Sequence, residues 1–139
     1  DEFSKAYVVA HEVGHHVQNL LGYNAQERKL QAREGKNASV RLELQADYLA
    51  GVWANAGNNK DFTIDSGDVE LAIKTAQAIG DDRIQKKAQG WVSPEGFTHG
   101  SSQARVHWFT DGLKTGDASK RKLDLFFDAD LGKLDPLLR

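Results

Sequence analysis

The chain has no cysteine. That excludes a disulfide framework, thiolate metal sites and thiol nucleophiles, and it leaves the redox compartment open. Any metal must be held by histidines and carboxylates. Methionine is absent too, the initiator included. The chain opens on Asp1-Glu2-Phe3, acidic where a secretory signal would be basic, so it reads as a processed product or a piece of something longer. No apolar run approaches the roughly 20 residues needed to span a bilayer. No sign of charge dominates: 18 Lys plus Arg against 20 Asp plus Glu leave a net of −2. That balance gives no reason to expect nucleic acid or an anionic membrane surface as a partner. Repeats, low-complexity tracts and convincing period-two alternation are missing as well. What remains is 139 residues, 40% apolar and 27% charged. This describes a soluble globular chain, long enough for one domain and too short for two well-buried ones.

The periodicity is helical throughout, which predicts a mainly α fold. A first helix is expected from Ser4 to Leu21 with Gly22 as its C-cap. At about 100° per residue, Val9, Val13, Val17 and Leu20 share one face, and His11 and His15 lie nearly opposite. Residues 24–36 are polar and fit either a short solvated helix or a loop. A second helix is expected over Ala38 to Ala56, with Leu42, Ala46, Leu49 and Trp53 as its apolar stripe. "GNNKDFTIDSGD" reads as a loop. A third helix starts near Ser66, with Asp68 and Glu70 in its first turn, where the helix dipole favours anions, and runs to Gly80. A short helix over Asp81–Ala88 follows, and residues 90–102 are irregular. Ser101 or Ser102 caps another helix that closes at Gly116. Leu123, Phe126, Phe127 and Leu131 predict one more amphipathic helix in the tail.

The chemistry concentrates in "AYVVAHEVGHHVQNLLG". His-Glu-x-x-His on a helix stacks two imidazoles one turn apart, so both nitrogens can reach one ion. On that reading His11 and His15 bind zinc, and Glu12, about 100° round the helix, acts as a base on water. Gly14 lets another backbone approach. The plainer reading is that the histidines are solvated or paired with acids, and His16, without a spacing partner, is assigned to structure. "RLELQAD" adds Glu43 and Asp47, again four apart and flanking an apolar stripe. Burying these carboxylates alone would cost several kcal/mol, so a cation or a ligand histidine must meet them. Glu43 is then the third zinc ligand, and Asp47 accepts the free N–H of a ligand histidine and fixes its tautomer. The plainer alternative is an ion pair with Arg41 or Lys74.

Four blocks carry a resemblance: "AYVVAHEVGHHVQNLLG", "SVRLELQADYLAGVWA", "GDVELAIKTAQAIGDDRIQ" and "FTHGSSQARVHWF". In this order, over roughly residues 3 to 116, they resemble the bacterial neutral zinc metallopeptidase family. The resemblance implies a zincin-like helical metal-binding domain and a zinc-dependent endopeptidase with a Glu third ligand, similar in logic to thermolysin. It implies His11, His15 and Glu43 as zinc ligands, Glu12 as general base and Asp47 as orienter. His99 is the candidate donor to the oxyanion, against a loop histidine bonded to backbone. Arg105 is a weaker candidate than the solvated charge or ion pair it otherwise makes, and His107 is left to structure.

The departures also shape the expectation. Tyr48 stands where relatives carry a cysteine, and the tail over 117–139 diverges, its aromatics taking the place of a disulfide. Zincins lay substrate along a sheet edge that precedes the zinc helix. Only ten residues precede His11, and they read as helix, so the upstream β-sheet segment of a full zincin is lacking. Longer relatives carry a membrane anchor, and the family implies a cell-envelope or secreted location. The expectation is therefore one zinc metallopeptidase-like domain over 1–139, truncated at its N-terminus, hydrolysing a peptide or protein substrate. The rivals are a non-catalytic zinc-binding or interaction domain, and a metal-free helical domain whose histidines only pair with acids.

Overall fold

A computed structural model describes residues 2–57, 64, 67–77 and 100–138. Every element among them is helical, and no strand occurs among the described residues. Helix α1 spans Glu2–Leu21. It ends at Gly22, whose φ of +85° belongs to the left-handed region that a side chain resists, and α2, Tyr23–Glu34, begins at once. The polar stretch left open between helix and loop is thus helix through Glu34. A 3₁₀ turn, Gly35–Asn37, leads into α3, Ala38–Gly57. Residues 67–77 form α4, inside the span predicted for a third helix. Helix α5, Ser102–Thr115, is capped by Ser101, whose Oγ accepts the Ala104 N–H at 3.1 Å, and stops at Gly116. The expected helix over Asp81–Ala88 lies outside the described residues.

The tail is two helices where one was predicted: α6, Lys120–Asp128, and α7, Leu131–Leu134. The break has a physical cause. Arg41, buried on α3, donates to the carbonyls of Phe126 at 3.0 Å and Ala129 at 2.6 Å. The last carbonyls of α6 are satisfied from outside, and the chain turns away at Ala129 in an extended conformation. Leu131 still packs on the same apolar cluster.

Helix α3 runs between two apolar clusters. One joins Tyr23, Leu44, Tyr48, Trp108, Phe126 and Leu134; the other joins Tyr7, Ala50, Ile73 and Phe109. Two glycines set its crossing with α5. A methyl at Gly51 would stand 2.1 Å from the Phe109 carbonyl oxygen, and one at Gly112 would stand 2.2 Å from that of Tyr48. Only glycine permits backbones this close. Helix α1 crosses α3 at Gly14, where a Cβ would lie 3.1 Å from the Ala46 carbonyl oxygen. The expected close approach at Gly14 is present, and it brings the histidines on either side of it within reach of α3.

Both predicted apolar stripes need correction. On α1 the stripe faces outward: Val9, Val13 and Leu20 are 60%, 50% and 70% exposed. The buried face is Tyr7, Ala10, His11, Gly14 and Gln18. The partner decides this. Helix α3 presents buried Gln45 and Asp47, and the polar face of α1 bonds both, Tyr7 and His11 reaching Asp47 and Gln18 reaching Gln45. A buried carboxylate left alone costs more than the about 1.5–3 kcal/mol that burying one valine returns. On α3 the stripe is an incomplete description, because the helix is buried on most sides: Leu42 and Leu49 are half-buried, Trp53 is 55% exposed, and Arg41, Leu44, Gln45 and Asp47 are buried.

Candidate metal centre

Helix α1 supplies His11 and His15 one turn apart, and α3 supplies Glu43 and Asp47 one turn apart. The crossing at Gly14 lays these pairs over each other. His11 Nε2 lies 3.0 Å from His15 Nε2 and 3.0 Å from Glu43 Oε2, and His15 Nε2 lies 3.5 Å from Glu43 Oε1. His11, His15 and Glu43 are the one group of three potential ligands found this close together among the described residues.

What stands behind each histidine fixes its tautomer. Asp47, fully buried, takes the Nδ1–H of His11 at 3.0 Å through Oδ1. His15 Nδ1 lies 2.8 Å from Gln18 Oε1, an amide oxygen that can only accept. Both Nδ1 atoms therefore donate, which leaves each Nε2 facing the Glu43 carboxylate.

Asp47 is itself held by charge. Arg105 Nε donates to Oδ2 at 2.6 Å and Nη2 to Oδ1 at 3.2 Å. Nη2 also donates to the Tyr7 hydroxyl at 2.9 Å, and that hydroxyl donates to Asp47 Oδ1. Burial opposes the charge on Asp47, but the Arg105 guanidinium and the His11 hydrogen bond outweigh it and hold the carboxyl below its usual range. Burial likewise works against a charged His11, yet hydrogen bonds to Asp47 and Glu43 push it up to about 9. Burial would raise Glu43, but its bonds to the two histidines take it well below the carboxylate range. Burial first, and then the Asp47 charge, push the Tyr7 phenol up.

These directions test whether the donor set suits a cation. Three potential ligand groups converge: the imidazole Nε2 atoms lie 3.0 Å apart, and each has an oxygen of the Glu43 carboxylate within 3.0–3.5 Å. The chain itself offers them one proton, on His11, and a dication placed there would serve all three. Two zinc–nitrogen bonds of about 2.0–2.1 Å at a tetrahedral angle set their nitrogens about 3.3 Å apart, close to the 3.0 Å between the imidazoles. Two imidazoles and a carboxylate are a donor set that zinc accepts.

The remaining sequence candidates separate clearly. Arg41 and Lys74, the alternative partners of the α3 acids, pair with Glu34 at 2.7 Å and Glu70 at 2.9 Å instead. Arg105 makes the ion pair that was its plainer reading, and that pair lies directly behind the histidine cluster. Glu12 and His16 are exposed, and His107, also exposed, lies edge-on to Trp108. Tyr48 is buried against Phe126, and its hydroxyl donates to the Asp117 carbonyl at 2.5 Å, tying α3 to the start of the tail. His99 lies outside the described residues. Sequence reading missed Tyr7, Gln18 and Gln45. The signal was available: Tyr7, His11, His15 and Gln18 recur at spacings of four, four and three, a polar helical face opposite the valines.

A family model described as "Putative neutral zinc metallopeptidase" matches residues 1–123. The Escherichia coli K12 protein titled "Uncharacterized protein YpfJ" is 49% identical over 123 residues, covering 86% of this chain and 42% of its own length. "Uncharacterized protein Rv2575" of Mycobacterium tuberculosis H37Rv is 46% identical over 140 residues, covering 94% of this chain and 46% of its own. The chain thus spans a little under half the length of these relatives. No solved structure matches it. With the match running through both the histidine helix and the acidic helix, the chain belongs to the family described as "Putative neutral zinc metallopeptidase".

Proposed function

We propose that this chain is a zinc-dependent endopeptidase module in which His11, His15 and Glu43 hold the metal and Glu12 is the general base. One observation carries the reading: the two imidazole Nε2 atoms lie 3.0 Å apart and each faces an oxygen of the Glu43 carboxylate, at 3.0 Å from His11 and 3.5 Å from His15, while both Nδ1 atoms are engaged elsewhere. A metal held by those three would supply Lewis acidity, lowering the pKa of water and polarising a peptide carbonyl. Glu12 follows His11 on α1 and is exposed, so its carboxylate is free to take a proton and return it to the leaving amine. Asp47 holds His11 by its Nδ1–H and is itself held by Arg105 and Tyr7, so the ring is oriented before any ligand arrives. His99 remains the proposed oxyanion donor on the strength of the family blocks. The substrate class is a peptide or protein.

A second reading is favoured by one specific observation. Metallopeptidases commonly bind an extended peptide against a sheet edge, and no strand occurs among the described residues. On that reading the chain binds zinc without cleaving peptides by itself. Metal analysis of purified protein tests what the readings share: about one zinc per chain supports both, and none overturns both. A casein assay on wild type and Glu12→Gln then separates them. Cleavage by the wild type, lost in the variant with zinc retained, supports the peptidase; no wild-type cleavage despite bound zinc supports the second reading. Glu43→Ala should weaken zinc binding in either case.

A further inference from the structure

The hydrogen bonds behind His15 continue across the molecule. Gln18, fully buried, uses both amide hydrogens: one goes to the Leu42 carbonyl at 2.7 Å and the other to Gln45 Oε1 at 2.8 Å. Gln45, also fully buried, donates in turn to the Leu123 carbonyl of α6 at 2.9 Å. A backbone carbonyl can only accept. The Leu123 carbonyl therefore dictates that Gln45 turns its NH₂ toward α6 and its oxygen toward Gln18. The Leu42 carbonyl and the Gln45 oxygen together dictate that Gln18 turns its NH₂ to α3 and its oxygen to His15. With an oxygen fixed at His15 Nδ1, the proton must sit on Nδ1 and the lone pair on Nε2.

We infer that Gln18 and Gln45 are positioning residues that set the tautomer and direction of His15, with the α6 carbonyl of Leu123 as the fixed end of the chain. The inference rests on His11, His15 and Glu43 being metal ligands, and it adds how one of them is kept ready. An unpinned imidazole divides between two tautomers, only one of which has its lone pair at Nε2. The chain contains no ionisable group before His15. It therefore sets the tautomer without adding charge, and it couples the docking of α6 to the metal centre. Gln18 has two partners on α3 and Gln45 is one step removed from the ring, so the two are unequal. Losing Gln18 removes the acceptor from His15, whereas losing Gln45 leaves Gln18 oriented by Leu42.

The test has a metal-free part and a metal part. Long-range ¹H–¹⁵N correlation on the metal-free chain, with the ring neutral, should show His15 as the Nδ1–H tautomer in wild type and as a mixture in Gln18→Leu. Titration with cobalt(II), followed by its visible spectrum as a stand-in for zinc, should show affinity falling about 10- to 100-fold in Gln18→Leu. Gln45→Leu, which leaves Gln18 donating to the Leu42 carbonyl, should show a smaller loss with the tautomer retained. A purely structural role would lower stability in these variants without moving the tautomer. An Nε2–H tautomer in wild type overturns the inference, as does wild-type cobalt affinity in Gln18→Leu. If Gln18→Leu does not fold, the wild-type tautomer and the Gln45→Leu titration decide. Absence of cobalt binding by the wild type overturns the metal reading itself, and this inference with it.

Discussion

The two histidines of α1 are four residues apart and their nitrogens meet, yet they are held by opposite chemistries. Behind His11 stands a buried charged network: Asp47, Arg105 and Tyr7, contributed by α3, α5 and α1. Behind His15 stands a neutral one: Gln18, Gln45 and two backbone carbonyls. The charged side gains more from each contact and depends more on every member, because any ion left alone in the interior keeps its full desolvation cost. The neutral side gains less and fails more gently, since an amide or carbonyl without a partner costs about 1–3 kcal/mol. The two arrangements suit their surroundings. Asp47 and Arg105 are sealed between three helices, whereas His15 is half-exposed and a second carboxylate beside it would add to the charge already carried by Glu43.

That contrast can be broken from its stronger side. Arg105→Leu takes the guanidinium from the buried Asp47 carboxylate and should cost about 3–5 kcal/mol in denaturant unfolding, the largest effect of the set. The double variant Asp47→Leu with Arg105→Leu should recover a good part of that loss, because an apolar pair leaves no charge behind. If the single and double variants unfold at the same denaturant concentration, charge is not what makes this network critical. Gln45→Leu probes the neutral side. It removes the side-chain donor from the Leu123 carbonyl, leaves one Gln18 hydrogen without a partner and should cost about 1–3 kcal/mol. A loss equal to that of Arg105→Leu would erase the distinction between the two networks.

The smallest predicted effect separates the chemistries by pH at a place remote from the histidines. Arg41 hydrogen-bonds Glu34 through Nε at 2.9 Å and Nη2 at 2.7 Å, which holds the Glu34 carboxyl below the usual glutamate value. A carboxyl lowered in the folded state binds its proton less tightly than in the unfolded chain. Its contribution is therefore complete above the ordinary glutamate range and is lost as pH falls through the folded value. Wild type should exceed Glu34→Gln in stability by under about 1 kcal/mol near neutrality, with the gap closing in acid. The cost of Gln45→Leu should stay level over the same acid range, since no group in that chain titrates. Chemical denaturation at several pH values, comparing both variants with wild type, reads both trends. A Glu34→Gln gap that widens in acid would reverse the sign argued here.

The sequence alone determined the local features. Helix ends followed from Gly22, Ser101 and Gly116 because capping is decided within a turn. The four-residue spacings of His11 with His15 and of Glu43 with Asp47 are also fixed by helical pitch, so which side chains could act together was legible. Tertiary structure decided which face of each helix looked inward. Valine periodicity pointed the apolar side of α1 to the core, and the buried Asp47 and Gln45 on α3 turned it outward. Tertiary structure also decided the partner of Asp47, Arg105, which lies 58 residues away in the chain. The physical reason is that a helix pattern records what one segment offers, whereas the cost of an unsatisfied buried polar atom depends on what the facing segment brings within about 3 Å of it.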